Sequence, residues 1–265
     1  MRRFALSLLC ATLAGAAALK PETVAAWEHY TALVDASVKT QGAFLILEKD
    51  PDQLKEVEQG KITVSQVKRA NGPAVPHALI HDWLGAVFMP DAKLADVFAV
   101  TRGYAKYPEW YGPTITRATL RERSGDTDRF TVHYVRHVLF VTAVLDADYE
   151  TQYFQVNATR WYSIAHSTRM QEMDEDSRPS ERTAQADDGN GYLWRAYTLT
   201  RFEQRDNGVI IEQESVGLSR PIPNSLRWVV EPVVKRLART LLANSLEQTR
   251  EAVLKHLPRN TSASR

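Results

Sequence analysis

The 265-residue sequence lacks the features on which many enzyme classes depend. It has one cysteine, Cys10, and it contains no Gly-x-Ser-x-Gly nucleophile turn, no phosphate-binding P-loop and no dinucleotide-binding glycine pattern. Because Cys10 lies in a segment that we expect to be removed, the mature chain offers no thiol for disulfides, thiolate catalysis or metal ligation. The sequence therefore predicts no catalytic residue set and no cofactor.

An excess of charge of one sign is also lacking. The chain has 33 Lys and Arg residues against 32 Asp and Glu residues, and the loss of Arg2 and Arg3 with a leader would leave 31 against 32. A protein that neutralises many phosphates needs a basic stripe on its surface, and none stands out here. Nucleic acid is therefore not an expected partner.

The N-terminal apolar run, Phe4 to Leu13, is too short to cross about 30 Å of hydrocarbon. It follows Arg2 and Arg3 and precedes small residues that a signal peptidase reads. We therefore predict a signal peptide over residues 1–18, cleaved near Ala16 or Ala18. The expected location is the periplasm, with no integral membrane span in the mature chain.

The histidines do not predict a metal site. His77 and His81 are four residues apart, as are His133 and His137. This spacing converges on one metal only on a helix, whereas along a strand it separates the side chains by about 13 Å. Both pairs fall at or in strand-like sequence, so no metal ligand is predicted.

Hydrophobic periodicity divides the mature chain into an extension and a main domain. Residues 19–75 read as an N-terminal extension with a helix, a shorter helix and an alternating strand over Ile62–Val67. Residues 76–257 read as a strand, a helix pair, six long antiparallel strands and a long helix, and residues 258–265 as a flexible tail. An apolar stripe on the last helix, from about Asn224 to His256, must be buried.

This order predicts an α+β helix-grip fold. A curved seven-stranded antiparallel sheet would wrap around the long C-terminal helix, and the extension would pack on this domain. Such packing leaves a space between sheet and helix. Whether side chains or a ligand fill that space decides the function.

The local sequence resembles the START/Bet v 1-like superfamily, also called the polyketide cyclase and lipid transport group. The segment 90–100, followed by 104–110, looks like the family's first helix and its aromatic turn, with Gly103 where the family often has Asp. Segments 208–212 and 219–223 look like its last strand and the entry to its C-terminal helix. The resemblance covers about residues 78–256, and segments 80–88 and 158–163 resemble an exported branch.

The resemblance places an aromatic group at the mouth of the expected cavity. Tyr107, Trp110 and Tyr111 lie where the family's short second helix rims the opening, and aromatic rings supply apolar area at low entropy cost. On the last strand, the small side chains of Ser215 and Gly217 would let a ligand approach closely. The alternatives are simple packing of the turn against the sheet and packing of the helix over the last strand.

Strand alternation adds four further candidates. Trp161, Ser163, Ser167 and Arg169 would share one face of their strand. An arginine inside an apolar cavity needs an acid or the anionic head of a ligand, so Arg169 is the predicted polar contact; the alternative is a solvated strand end. On the opposite face of the last strand, Glu212 and Glu214 are expected to pair with Arg195 or Arg201 rather than to catalyse.

Three functions remain open on the sequence. The resemblance implies binding or transport of a hydrophobic small molecule, such as a lipid or an isoprenoid, with transient membrane contact. A cavity-based enzyme of the cyclase or hydrolase type would instead use cavity acids and tyrosines. A non-catalytic scaffold would have a collapsed cavity.

Overall fold

The structure is a computed structural model of the chain, and it describes residues 19–39, 43–69, 72, 74–138, 141–173, 192–223, 225 and 227–257. The predicted signal peptide over residues 1–18 and the predicted tail over 258–265 lie outside the described residues.

Eight antiparallel strands form one sheet, in the order β1-β2-β8-β7-β6-β5-β4-β3. Tight turns join several sequential neighbours, such as Ser124–Thr127 between β3 and β4 and Arg205–Gly208 between β7 and β8. The strands are β1 (Thr63–Gln66), β2 (Leu79–Pro90), β3 (Ile115–Ser124), β4 (Thr127–Val138), β5 (Val141–Gln155), β6 (Arg160–Met173), β7 (Leu193–Arg205) and β8 (Gly208–Ser219).

Helices flank the sheet on both sides. The α-helices are α1 (Pro21–Lys39), α2 (Pro51–Glu58), α3 (Leu94–Thr101), α4 (Tyr107–Trp110) and α5 (Arg227–His256), with 3₁₀ turns at Ile46–Lys49 and Tyr104–Lys106. Among the helices that the structure describes, none combines the length and the apolar character needed to cross a membrane.

The predicted helix-grip fold is confirmed, with one correction to the strand count. The sheet has eight strands rather than seven because Thr63–Gln66, which the sequence places in the extension, pairs with Trp83–Ala86 of β2. The backbone N–H and C=O groups of an isolated strand need partners, and the otherwise free edge of β2 supplies them. The extension therefore contributes a strand to the main sheet.

The C-terminal half of α5 is anchored on β2 at Gly85. A Cβ atom at this glycine would lie 2.7 Å from Leu246 Cδ1 and 3.1 Å from Leu242, so the missing side chain permits the close approach. Leu242 and Leu246 are buried there. By contrast, none of the α5 residues whose burial is described between 228 and 240 is buried. The C-terminal half of the helix is therefore packed on the sheet, whereas the described side chains of the N-terminal half are at most partly buried.

The helices of the extension cover the opposite face of the sheet, which we call the outer face. On this face Trp27, Tyr30 and Val34 of α1 pack with Trp194, Tyr197, Leu199, Val216 and Leu218 of β7 and β8. Leu45, Leu47 and Val57 pack with Ala86, Phe88 and Ile210. The strands β2, β7 and β8 are therefore covered on both faces.

Candidate ligand cavity

A cavity of about 520 Å³ lies between the sheet and α5. Every strand from β2 to β8 contributes side chains to it, so the sheet must curve around the helix. We call the sheet surface that lines it the cavity face. The helix forms an apolar roof, with Val234, Leu237, Ala238, Leu241, Leu242 and Leu246.

A smaller recess adjoins the cavity beside α4 and the start of β3. It has a volume of about 290 Å³ and shares Tyr111, Ile115, Leu241 and Ser245 with the main cavity. Gln248 Nε2 donates a 2.9 Å hydrogen bond to the Gly112 carbonyl across this side of the cavity.

Neutral polar side chains cross the cavity face in two rows. Residues paired across antiparallel strands point to the same face, so the register determines the rows. Going from β2 through β8, β7 and β6 to β5, one row is Gly85, Gln213, Thr200, Ser163 and Tyr153, and the next is Trp83, Ser215, Thr198, Ala165 and Thr151. All of these except Gly85 line the cavity.

Tyrosines line the end of the cavity formed by α4 and strands β4 and β5. Burial raises the pKa of Tyr111 and Tyr153 to about 12, so both phenols stay protonated at neutral pH. Tyr107 donates to the Thr101 carbonyl at 2.6 Å, and the Tyr111 hydroxyl lies 3.0 Å from Thr249 Oγ1. The six members of this tyrosine wall are Tyr104, Tyr107, Tyr111, Tyr134, Tyr149 and Tyr153.

The cavity lining is uncharged at neutral pH. None of the described residues that line it is Asp, Glu, Lys or Arg. His81 Nε2 lies 2.7 Å from Ser219 Oγ, and burial lowers the pKa of His81, which favours the neutral imidazole. Phenols, hydroxyls, an amide, an indole and a neutral imidazole are therefore the polar groups that a ligand would meet.

Five of the nine residues predicted to contact a ligand line this cavity. They are Tyr107, Tyr111, Ser163, Ser215 and Gly217. The structure brings the two tyrosines to the tyrosine wall and places the three small residues on the cavity face. Their contact with a ligand stays a prediction.

Three other candidates lie outside the lining and have neighbours of their own. The Trp110 ring lies against His256, with ring centroids 5.6 Å apart, and Trp161 packs edge-on against Phe98 at 5.4 Å. Ser167 Oγ accepts a 3.0 Å hydrogen bond from the Ala196 backbone N–H. These contacts are packing and pairing within the domain.

Arg169, the predicted polar contact, lies on the other face of the sheet. The register skips Thr168: Ser167 pairs with Tyr149, which lines the cavity, and Arg169 pairs with Asp148, the next residue of β5. A β-bulge of this kind reverses the alternation that places side chains on a face. The Arg169 guanidinium lies 3.6 Å from Asp148 Oδ2, away from the cavity.

Several lining residues were missed by the sequence reasoning. Trp83 and His81 lie on β2, and Thr198 and Thr200 lie on β7, each pair on alternate positions of its strand. The alternation of side chains along a strand could have placed the two members of each pair on the same face. The alternation could not have shown which face of each strand meets the helix, because β2 is buried on both faces.

The outer face carries the charge that the cavity face lacks. Arg201 Nη1 donates to Glu212 Oε1 at 3.0 Å, and both side chains are fully buried, which confirms that predicted pair. Glu214 pairs with Arg69 rather than with Arg195 or Arg201. Tyr30 donates to Asp82 Oδ2 at 2.7 Å, and burial raises the pKa of Asp82 to about 7.

No protein-family model matches the chain, and no curated protein matches it. Among solved structures, the chain is similar to a STAR-related lipid transfer protein from Xanthomonas axonopodis, with 16% identity and a TM-score of 0.46 over 73% of this chain and 97% of that one. It is also similar to human STARD10, with 11% identity, a TM-score of 0.47, and coverage of 83% and 84%.

A third similar structure is the Zhui aromatase/cyclase from a Streptomyces species, with 10% identity and a TM-score of 0.45 over 68% of this chain and 98% of that one. The sheet order and the position of α5 on the concave face of the sheet make the fold a helix grip.

Proposed function

We propose that the protein binds an apolar small molecule between the sheet and α5 and acts as its carrier. The observation that supports this best is an interior space of about 520 Å³ with a mainly apolar and aromatic lining. Ligand pockets typically have volumes of about 300–1,000 Å³ and a few placed polar groups. Burial of apolar ligand surface contributes about 25 cal/mol per Å², which would drive binding.

Two features favour a carrier over the alternatives. The open interior differs from the collapsed cavity that a scaffold would have. A cyclase or hydrolase needs a positioned acid or base, and buried acids with a raised pKa are its usual mark. Among the residues that the structure describes, the buried acids with a raised pKa are Asp82 and Glu212, and both lie on the outer face, away from the cavity lining.

The N-terminal half of α5 presents apolar side chains to solvent. Trp228 is 79% exposed and Val233 is 46% exposed. Tryptophan favours the boundary between water and lipid. These residues support the further proposal that the protein touches a membrane transiently when it loads or releases its ligand.

Export to the periplasm remains part of the proposal. It is supported by the basic, apolar and small-residue regions within residues 1–18. The intact mass of protein recovered from the periplasmic fraction tests it, because a chain that retains residues 1–18 there would contradict the proposed cleavage.

Filling the cavity tests the carrier proposal directly. Ala165 lines the cavity between Thr198 and Thr151 in its row, so Ala165→Phe would place a ring in the ligand's space. We expect pyrene to bind at least about tenfold more weakly than to the unaltered protein, because the ring displaces the probe's apolar contacts. Equilibrium dialysis measures the affinity.

The matched control is His166→Phe. His166 is the next residue of β6 and is exposed on the opposite face, so the same ring there should leave pyrene affinity unchanged. A folded Ala165→Phe variant that binds pyrene as tightly as the unaltered protein would contradict the carrier proposal.

A further inference from the structure

We propose that the imidazole of His81 makes ligand release from this cavity depend on pH, because the neutral ring accepts an apolar ligand beside it and the protonated ring expels that ligand. This regulation rests on the ligand-binding function proposed above. Its basis is the position of one titratable side chain in an otherwise uncharged and mainly apolar lining.

His81 belongs to the surface that a bound ligand would cover. It lies on β2, is partly exposed and lines the cavity. Its cross-strand neighbour Gly217 and the next residue on the same face of β2, Trp83, line the cavity as well. A charge on the imidazole would therefore be placed directly against the ligand.

Among the described residues of the lining, His81 is the only one that titrates between about pH 4 and pH 8, because an imidazole has an ordinary pKa of about 6.5. The other titratable groups there are the phenols of the tyrosine wall and of Tyr192. Burial raises the pKa of each of these tyrosines, so they stay protonated over this range.

The imidazole has a nitrogen that can take up a second proton. His81 Nε2 lies 2.7 Å from Ser219 Oγ, and Ser219 Oγ donates to the Arg220 carbonyl at 3.2 Å. With the serine proton used in this way, Nε2–H of the imidazole donates to Ser219, and Nδ1 carries the lone pair. Nδ1 makes no hydrogen bond to a residue that the structure describes, so its protonation breaks no contact.

The surroundings of His81 disfavour the imidazolium. Burial is the largest influence on the pKa of His81, and it lowers this pKa below the ordinary value. Two charged side chains of α5 act in opposite senses, since Glu231 raises the pKa and Lys235 lowers it. These two side chains pair with each other at 2.8 Å, so the helix brings little net charge to the imidazole.

An apolar ligand would disfavour the imidazolium further. Water in the cavity can solvate the charge, whereas an apolar molecule displaces that water and offers no hydrogen-bond acceptor. A charge without a partner is strongly disfavoured against apolar surface. Proton binding and ligand binding therefore oppose each other, and each weakens the other by the same factor. Ligand affinity is full above the pKa of His81 and falls as the pH drops through it.

Pyrene tests this linkage because it has no titratable group, so any pH dependence of its affinity comes from the protein. Equilibrium dialysis at pH 5 and pH 8 gives its affinity for the unaltered protein and for His81→Gln. We expect the unaltered protein to bind pyrene at least about threefold more weakly at pH 5 than at pH 8. His81→Gln should bind equally at both values, because the amide forms hydrogen bonds but takes up no proton.

Two control variants exclude other titrating groups. His166→Gln makes the same exchange at an exposed position on the outer face, and it should keep the pH dependence of pyrene affinity. The pKa of Asp82, about 7, also lies between the two pH values, and Asp82 lies on the outer face beside Tyr30, Arg69 and Glu214. Asp82→Asn should therefore also keep the pH dependence of pyrene affinity.

A second measurement does not depend on whether His81→Gln folds. In the unaltered protein, NMR resolves the rings of the seven histidines, and the His81 ring is assigned through its bonds to the backbone. A pH titration gives the pKa of His81 with and without pyrene. We expect pyrene to lower this pKa by at least about half a pH unit, which is the same linkage as a threefold change in affinity.

The outcomes separate this regulation from the function on which it rests. Equal affinity of the unaltered protein for pyrene at pH 5 and pH 8, the same pH dependence in His81→Gln, or a pKa of His81 that pyrene leaves unchanged would overturn the role of His81. Each of these results would leave the carrier proposal standing. Failure of pyrene to bind the unaltered protein at either pH would instead count against the carrier proposal itself.

Discussion

The two faces of strands β2, β7 and β8 differ in the charge of their side chains, although alternate residues of the same strands form both faces. On the outer face Asp82, Arg201, Glu212 and Glu214 are buried beneath the extension. On the cavity face the interleaved positions hold neutral side chains, such as Trp83, Thr200, Gln213 and Ser215. Charge is thus concentrated where the chain closes over it and is excluded where the chain leaves space.

The extension supplies the partners that make buried charge tolerable on the outer face. The backbone N–H groups of Ile46 and Leu47 donate to the Glu212 carboxylate at 2.9 and 2.7 Å. Arg201 Nη2 donates to Ser37 Oγ at 2.7 Å. A buried ion pair is stable only when its remaining hydrogen-bonding groups are also satisfied. The described cavity lining offers no Asp, Glu, Lys or Arg that could form such a pair.

The largest expected effect comes from breaking the outer-face ion pair. Arg201→Met removes the guanidinium from Glu212 while keeping an apolar stem, and we expect it to lower the free energy of unfolding by about 3–5 kcal/mol. Denaturant unfolding measures the loss. Arg129→Met is the control, because Arg129 pairs with Glu122 and Glu150 at the exposed surface, where water and salt screen the attraction, and its loss should cost far less than the loss of Arg201.

The same variant also tests whether the two faces are independent. If the Arg201→Met variant remains folded, we expect its affinity for pyrene to equal that of the unaltered protein. A loss of stability no greater than that of Arg129→Met would show that the outer-face pair does not hold the extension in place.

A smaller change in the free energy of unfolding is expected from the titration of Asp82 on the outer face. The pKa of Asp82 is raised by burial from 3.8 to about 7, so between these values the folded chain binds a proton that the unfolded chain releases. Protonated Asp82 therefore stabilises the fold below about pH 4, and this contribution is lost as the pH rises to about 7.

Asp82→Asn isolates this contribution because the amide imitates the protonated acid. Between pH 5 and pH 8, we expect the unaltered protein to lose about 1–3 kcal/mol more than Asp82→Asn. Denaturant unfolding at the two pH values measures the difference. Parallel losses in the two proteins would mean that Asp82 is ionised in the fold throughout this range.

Sequence periodicity was sufficient for the order of the elements, because long alternating runs and one long amphipathic helix leave few ways to bury apolar surface. It was also sufficient for the Arg201–Glu212 pair, since these residues are close along a hairpin. Sequence periodicity was wrong at Arg169, because one extra residue in β6 moves this side chain to the other face of the sheet. The alternation of polar and apolar residues in the sequence does not reveal such a bulge.

The sequence alone also could not predict which residues pair over long distances along the chain. The partner of Glu214 is Arg69, 145 residues earlier, and β1 joins the sheet only because β2 has a free edge. Trp83 belongs to a strand that is buried on both faces, so its place in the cavity depends on where α5 packs. Each of these features is set by tertiary contacts rather than by local pattern.

The most direct test of ligand binding between the sheet and α5 is a crystal structure of the protein grown with 1-bromopyrene. We expect an anomalous bromine peak between the cavity face and the roof of α5, close to Trp83 and Leu242. A well-occupied peak only on the outer surface, or an interior filled by side chains with α5 lying flat on the sheet, would contradict it.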